Sequence, residues 1–313
     1  MTLMEKQKLI LVSAALALAG ACGSKAGARA VTISNRVNGS TLTVSVNPQV
    51  HAGAIDSLVF RGVEYVDNHD HGRQIQSAIQ VDNLGECFNP TEAGSRGNEA
   101  ARKTSSIVRM VSNAGNVLRT ETRPAFWLAP REPYGKACSQ FRRESSAQNQ
   151  AVVSTYTITR ATRFYGAAIP NLLLVDVAMT MPEQRDSASI EALTAYLPRN
   201  FNTFYSYDPR SRRLEQLRAG TDGNRTTTPV IIATRDGRHA MGVYAPAITE
   251  SKSDHAYYAY FYFSDGGATA KWSCVFGEFK IRAGTTFRYS CPIAVGSVQE
   301  VAAAFDAYAK TSR

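Results

Sequence analysis

The chain lacks most of the marks of a nucleotide enzyme, a zinc protein or a nucleic-acid binder. It has no Walker loop, no dinucleotide glycine loop and no G-x-S-x-G elbow, which disfavours the α/β classes built around them. Its five cysteines include no C-x-x-C pair, which argues against zinc. The net charge is +9, yet no dense Lys/Arg run with interleaved aromatics occurs, so no nucleic-acid partner is expected. The excess positive charge suits anionic glycans, a membrane face or plain solubility. Helical periodicity is scarce outside the C-terminus, and no sequence repeat or low-complexity linker divides the chain.

What is present starts with a leader. Lys6 and Lys8 precede the apolar run Leu9–Leu18, which has signal-peptide length and is too short to span a bilayer. The run ends in Ala19-Gly20-Ala21-Cys22, which resembles a bacterial lipoprotein cleavage site and also fits simple signal-peptidase cleavage. The expectation is a leader over 1–21, lipidation at Cys22, a tether over 22–30 and a domain over 31–313. That places the protein in the bacterial cell envelope, attached to a membrane by its lipid. Four cysteines remain for an oxidising compartment, and the expected pairing is Cys87–Cys138 with Cys274–Cys291, the latter two on strands read as neighbours. Free buried thiols are the alternative.

The body reads as strand after strand. Asn38-Gly39 joins two alternating segments, a strong hairpin signal. Gln74–Val81 and Val152–Thr159 read as half-buried strands, and Leu172–Met179 as a buried central one. Tyr257–Phe263, Lys271–Phe276 and Thr285–Tyr289 complete the set. Asp222-Gly223, Asp236-Gly237 and Asp265-Gly266 supply turns, and Arg210–Arg225 reads as a charged surface loop with room for a short helix. At the C-terminus Ser297 and Glu300 form a capping box before a helix with Val298, Val301, Ala302, Phe305 and Tyr308 on one face. An all-β, two-sheet antiparallel sandwich with one C-terminal helix is the economical fold.

The segment Tyr65–Ser95 is the densest polar stretch. It gathers Asp67, His69, Asp70, His71, Arg73, Gln74, Gln76, Glu86, Asn89 and Glu92. Such groups are costly to bury unpaired, so they face water or hold a polar ligand such as a sugar. Glycoside hydrolysis needs two carboxyl groups across one bond, and Glu86 and Glu92 are the first pair to test. His71 is a further acid–base candidate, and Asp70, Arg73, Gln74, Gln76 and Asn89 are candidate substrate binders. Aromatic-rich Tyr196–Asp208 adds Tyr205 and Tyr207. His69 and His71 alternate and could meet one ion with Asp67, but no third histidine follows at helical spacing. No metal and no other cofactor is expected.

Two places resemble a known family. His51–Ile55, Ser57–Tyr65 and then Asp70-His71-Gly72-Arg73-Gln74 are similar to the opening of galactose-mutarotase-like domains. Ala283–Tyr289 followed by Ala294–Ser297 is similar to their closing strand and helix cap. The resemblance implies a β-supersandwich and a carbohydrate in a cleft on one sheet. It implies an arginine in that cleft, for which Arg73 matches by local context. It also implies a histidine acid and a late glutamate base, for which His239 or His255 and Glu250 or Glu278 stand available. The HDHGRQ and GECFNPTEAGS segments depart from the family pattern and suggest a separate branch. A glycoside hydrolase is the favoured reading. A non-catalytic glycan binder, a lyase acting on uronate-containing glycans and an aldose epimerase are the alternatives.

Overall fold

The computed structural model describes residues 30–251, 253–264 and 268–311. The leader, Cys22, the tether as far as residue 29 and the Asp265-Gly266 turn lie outside the described residues.

Alternation of apolar side chains builds two facing antiparallel sheets. In the larger, Leu172–Thr180 sits near the centre, with Thr157–Phe164 on one side and Ile293–Gly296 and Thr286–Ser290 on the other. Leu173, Val175, Val177 and Met179 point into the core, while Leu174, Asp176 and Ala178 alternate outward, so this strand is buried on one face only. The smaller sheet has seven strands. Its four main ones run in the order Ala256–Phe263, Thr269–Ile281, Arg185–Pro198, Gln76–Val81. Ile79, Ile190, Leu197, Trp272, Cys274 and Tyr258 of this sheet are fully buried between the layers. The expected all-β sandwich is therefore the observed architecture, with a third, four-stranded N-terminal sheet packed on the same core.

That N-terminal sheet begins with the expected hairpin. Asn38 and Gly39 take φ of 48° and 82°, the pair of positive values that a two-residue turn of this hand requires. The C-terminal helix, Val298–Thr311, carries the expected box: Ser297 N donates to Glu300 Oε2 at 2.7 Å, and Glu300 N donates to Ser297 Oγ at 3.2 Å. Val298, Val301, Ala304 and Phe305 bury its inner face against the outside of the larger sheet, next to Ile231 and Tyr244.

Three expectations are corrected. The strand expected at Val152–Thr159 begins later and runs Thr157–Phe164, because Val152 and Ser154 are tied instead to Phe126 and Pro124. The charged segment expected as a loop holds a strand, Arg213–Leu217, at the sheet edge. An edge strand open to water on both faces has no alternation to reveal it. Cys87 and Cys138 are bonded, but Cys274 and Cys291 are two buried thiols. They sit in opposite sheets, not on neighbouring strands: Cys274 lies in Thr269–Ile281, and Cys291 N bonds Val175 O of the larger sheet. The thiols touch across the core, and burial pushes that of Cys274 well up.

Candidate active site

The outer face of the smaller sheet is the floor of a cleft. Successive residues of a strand point to opposite sides, so Gln76, Ala78 and Gln80 face the cleft while Ile79 and Val81 face the core. On Thr269–Ile281 the same alternation turns Lys271, Val275, Gly277 and Phe279 outward. Arg185–Pro198 breaks it. A bulge after Glu191 shifts the register against both neighbouring strands, and Ala192 and Leu193 are both buried. Glu191, Thr194 and Tyr196 thus share the cleft face, which even alternation forbids.

The cleft has an outer trough of 840 Å³ and a narrow inner hollow of 180 Å³. Glu86, Asn89, Glu191, Tyr196, Lys271 and Gln76 surround the hollow. Lys271 Nζ donates to Glu191 at 3.1 Å and lies 5.1 Å from the centre of the Tyr196 ring. Burial pulls the Lys271 ammonium down, but the Glu191 carboxylate and the Tyr196 hydroxyl outweigh it and hold it up. Glu86 sits recessed in the hollow on the short 3-10 turn Gly85–Phe88. Desolvation pushes its carboxyl up, and Glu191 adds to this. Asn89 Nδ2, donating to Glu86 Oε2 at 3.0 Å, and the Lys271 charge pull it partway back.

A small hairpin over residues 133–146 walls the cleft. The Cys87–Cys138 disulfide fastens it to the turn that carries Glu86. Gly85 makes that approach feasible: its φ is +55°, and a Cβ there would fall 2.1 Å from Cys138 O. The bond closes a separation of 51 residues, a constraint worth roughly 3–4 kcal/mol by loop entropy. The double variant Cys87→Ser/Cys138→Ser is accordingly expected to unfold at lower denaturant and to bind any cleft ligand more weakly. Urea titration and ligand titration check the two effects, and unchanged affinity would show that the wall plays no part in binding.

Of the residues expected from sequence, Glu86, Gln76 and Asn89 meet in the hollow. Gln76 is already committed, donating to Gly72 O at 2.8 Å and accepting from Ala93 N at 3.0 Å. The others lie elsewhere. Glu92 is fully buried between the sheets and ion-paired with Arg160, so it cannot share a bond with Glu86 in the cleft. His71 is buried with Nε2 on Val50 O at 2.8 Å and Nδ1 on Glu99 at 3.2 Å, whereas His69 is exposed. Asp70 and Asp67 pair with Arg73, and Gln74 donates to Asn68 Oδ1 and Asp70 O, forming a bracket that shapes the 67–74 turn. Tyr205 and Tyr207 lie on the other sheet, where Tyr207 donates to Asp306 of the helix at 2.8 Å. Of the family-suggested positions, His255 lines the trough, His239 contacts Tyr65 and Glu278 accepts from Tyr289.

Sequence reasoning passed over Glu191 and Lys271 as site residues. The available signal was a lysine inside an otherwise apolar strand, since lysine is rarely buried without a partner.

No family model and no curated protein matches the chain. Solved structures similar to it include a heparan sulfate lyase from Pedobacter heparinus, with 11% identity, 86% of this chain and 35% of that one covered, and a TM-score of 0.44. A galactose mutarotase related enzyme from Lactobacillus acidophilus matches with 8% identity, 85% and 98% covered, and a TM-score of 0.43. A 4-alpha-glucanotransferase from Thermococcus litoralis matches with 8% identity, 85% and 39% covered, and a TM-score of 0.42. The chain thus spans about a third of the length of the lyase and nearly all of the mutarotase-related enzyme.

Proposed function

We propose that the cleft binds and cleaves a glycan, with Glu86 as the proton donor and Glu191 as the second carboxyl group. The observation that carries this reading is the unequal setting of two carboxyl groups around one hollow. Glu86 is desolvated and pushed toward its protonated form, while Glu191 is held against the Lys271 ammonium. A desolvated carboxyl group beside a second one placed on a cation offers a proton donor together with a base or nucleophile. Asn89 and Gln80 offer hydrogen bonds to hydroxyl groups, and the rings of Trp127 and Tyr134 line the same hollow.

A lyase is the second reading, and Tyr196 is the observation that favours it. Its hydroxyl is pushed up by burial and pulled back by the neighbouring Lys271. A phenol kept protonated can donate to the leaving glycosidic oxygen while the Glu191 carboxylate takes the proton next to a uronate carboxylate, whose developing charge Lys271 and Asn89 would stabilise.

The test is incubation of the purified protein with a panel of neutral and uronate-rich polysaccharides, with products weighed by mass spectrometry. Products heavier by one water support the hydrolase, and products with an unsaturated end support the lyase. A glycan that raises the melting temperature without giving product moves the protein to the non-catalytic binders.

A further inference from the structure

The cleft is larger than the hollow that holds its chemistry. The trough runs from Glu86 and Tyr196 past Arg225 and Tyr257 to His255 and Phe279. It is a built surface. Tyr257, Ala259, Phe261 and Phe263 alternate onto the trough face of one strand. Arg225 lies 4.3 Å over the Tyr257 ring, and Phe261 and Phe263 stack at 5.6 Å.

Two rings at the trough remain uncovered. Phe141 is 68% exposed and Phe279 54%, the two highest values among the large exposed hydrophobic side chains of the described residues. Phe141 stands at the turn of the 133–146 hairpin, and both rings are held in place. Phe279 sits in a long central strand with the His255 ring 4.6 Å away. Phe141 follows the disulfide and is fixed by Ser139 Oγ, which accepts from Phe141 N at 3.2 Å and itself donates to Asn83 O. Arg142 Nε donates to Asp82 O at 3.1 Å on its other side. Leaving such rings in water forgoes their burial energy, and exposed apolar groups held in order on a polar cleft mark a surface that meets a ligand.

We propose that Phe141 and Phe279 are stacking platforms for sugar units beyond the one in the hollow, so that the ligand is an oligosaccharide chain. This rests on the glycan reading above and extends it to ligand length. The apolar face of a pyranose ring covers an aromatic ring, while its hydroxyl groups remain free for the polar residues of the trough. The hollow accepts one reacting unit, and the platforms hold its neighbours.

The test uses size-graded oligosaccharides of two to eight sugars. One ladder is heparan-derived and one is a neutral gluco-oligosaccharide series, and affinity for the full chain is measured by calorimetry. The wild type is expected to gain about tenfold in affinity per stacked ring as length increases. Phe141→Ala/Phe279→Ala should flatten that gain, and Phe279→Tyr, which keeps the ring, should retain it. Matching melting temperatures exclude misfolding. A length gain that persists in the double alanine variant, or its absence in a wild type that binds the disaccharide as well as the octasaccharide, overturns the proposal and leaves the glycan reading intact. A wild type that binds neither ladder and acts on no polysaccharide of the panel overturns both.

Discussion

Glu86→Gln is expected to lower turnover of the cleaved glycan by about 10²- to 10⁴-fold, the usual loss when a general acid is removed, with affinity nearly unchanged. The amide is isosteric, and its oxygen still accepts from Asn89 Nδ2, so the hollow keeps its shape. The same variant has a second signature, in stability. Burial raises the Glu86 carboxyl above its unfolded value of 4.5, so the folded protein binds that proton more tightly than the unfolded chain does. Stability from this group is full below about pH 4.5 and is lost as pH rises through the folded value. The glutamine variant suffers no such loss. Its melting temperature should exceed that of the wild type at pH 7, and the excess should vanish near pH 4. A residue that is merely structural would not combine lost turnover with gained stability. Turnover that survives the substitution to within a factor of about three would remove Glu86 from the acid role.

Glu92→Gln is expected to do the opposite, damaging the fold and sparing the cleft. Arg160 reaches from the larger sheet to Glu92 and also bonds Ile75 O at 3.2 Å and Ser77 Oγ at 3.3 Å, all inside the sandwich. Gly53 closes this chamber, for a Cβ there would lie 2.5 Å from Thr122 Oγ1 and 2.7 Å from Glu92 Oε1. Neutralising Glu92 leaves a guanidinium buried without a counter-charge, a loss of about 3–5 kcal/mol, or roughly 10 °C in melting temperature for a domain of this size. Arg160→Met should cost less, and its cost should depend on pH. Burial already pushes the Glu92 carboxyl up, so without Arg160 it escapes by taking a proton, and the variant is less destabilised at pH 5 than at pH 8. Thermal melts across that range check the difference, and equal losses from the two substitutions would contradict it. Glycan affinity of the folded Glu92→Gln protein should match the wild type.

Together these variants separate two carboxyl groups that look alike in sequence. Glu86 and Glu92 stand in one polar stretch, six positions apart on the same run of turns. The 3-10 turn Gly85–Phe88 opens one toward the cleft, while the next short strand, Pro90–Thr91, carries the other inward to Arg160. Nothing local distinguishes them, because the difference lies in what the opposite sheet presents. The same holds for His71, whose partners Val50 and Glu99 come from a turn before it and the 3-10 helix Arg96–Ala101 after it.

What the sequence determined by itself is whatever depends on neighbours along the chain. Period-two alternation set the all-β class, Asn38-Gly39 set the first hairpin, and Ser297 with Glu300 set the start of the helix, each through contacts a few residues apart. Tertiary structure decided where the polar groups meet. Glu191 and Lys271 are 80 residues apart in the chain and become partners only when two strands pair, and the bulge after Glu191 brings Thr194 and Tyr196 onto the cleft face that Ser187, Ser189 and Glu191 already share. Cys274 and Cys291 likewise touch only because opposite sheets close on each other. Burial, charge pairing and strand register are properties of the packed sandwich, and they select a hollow around Glu86 from a stretch in which the sequence favours Glu86 and Glu92 alike.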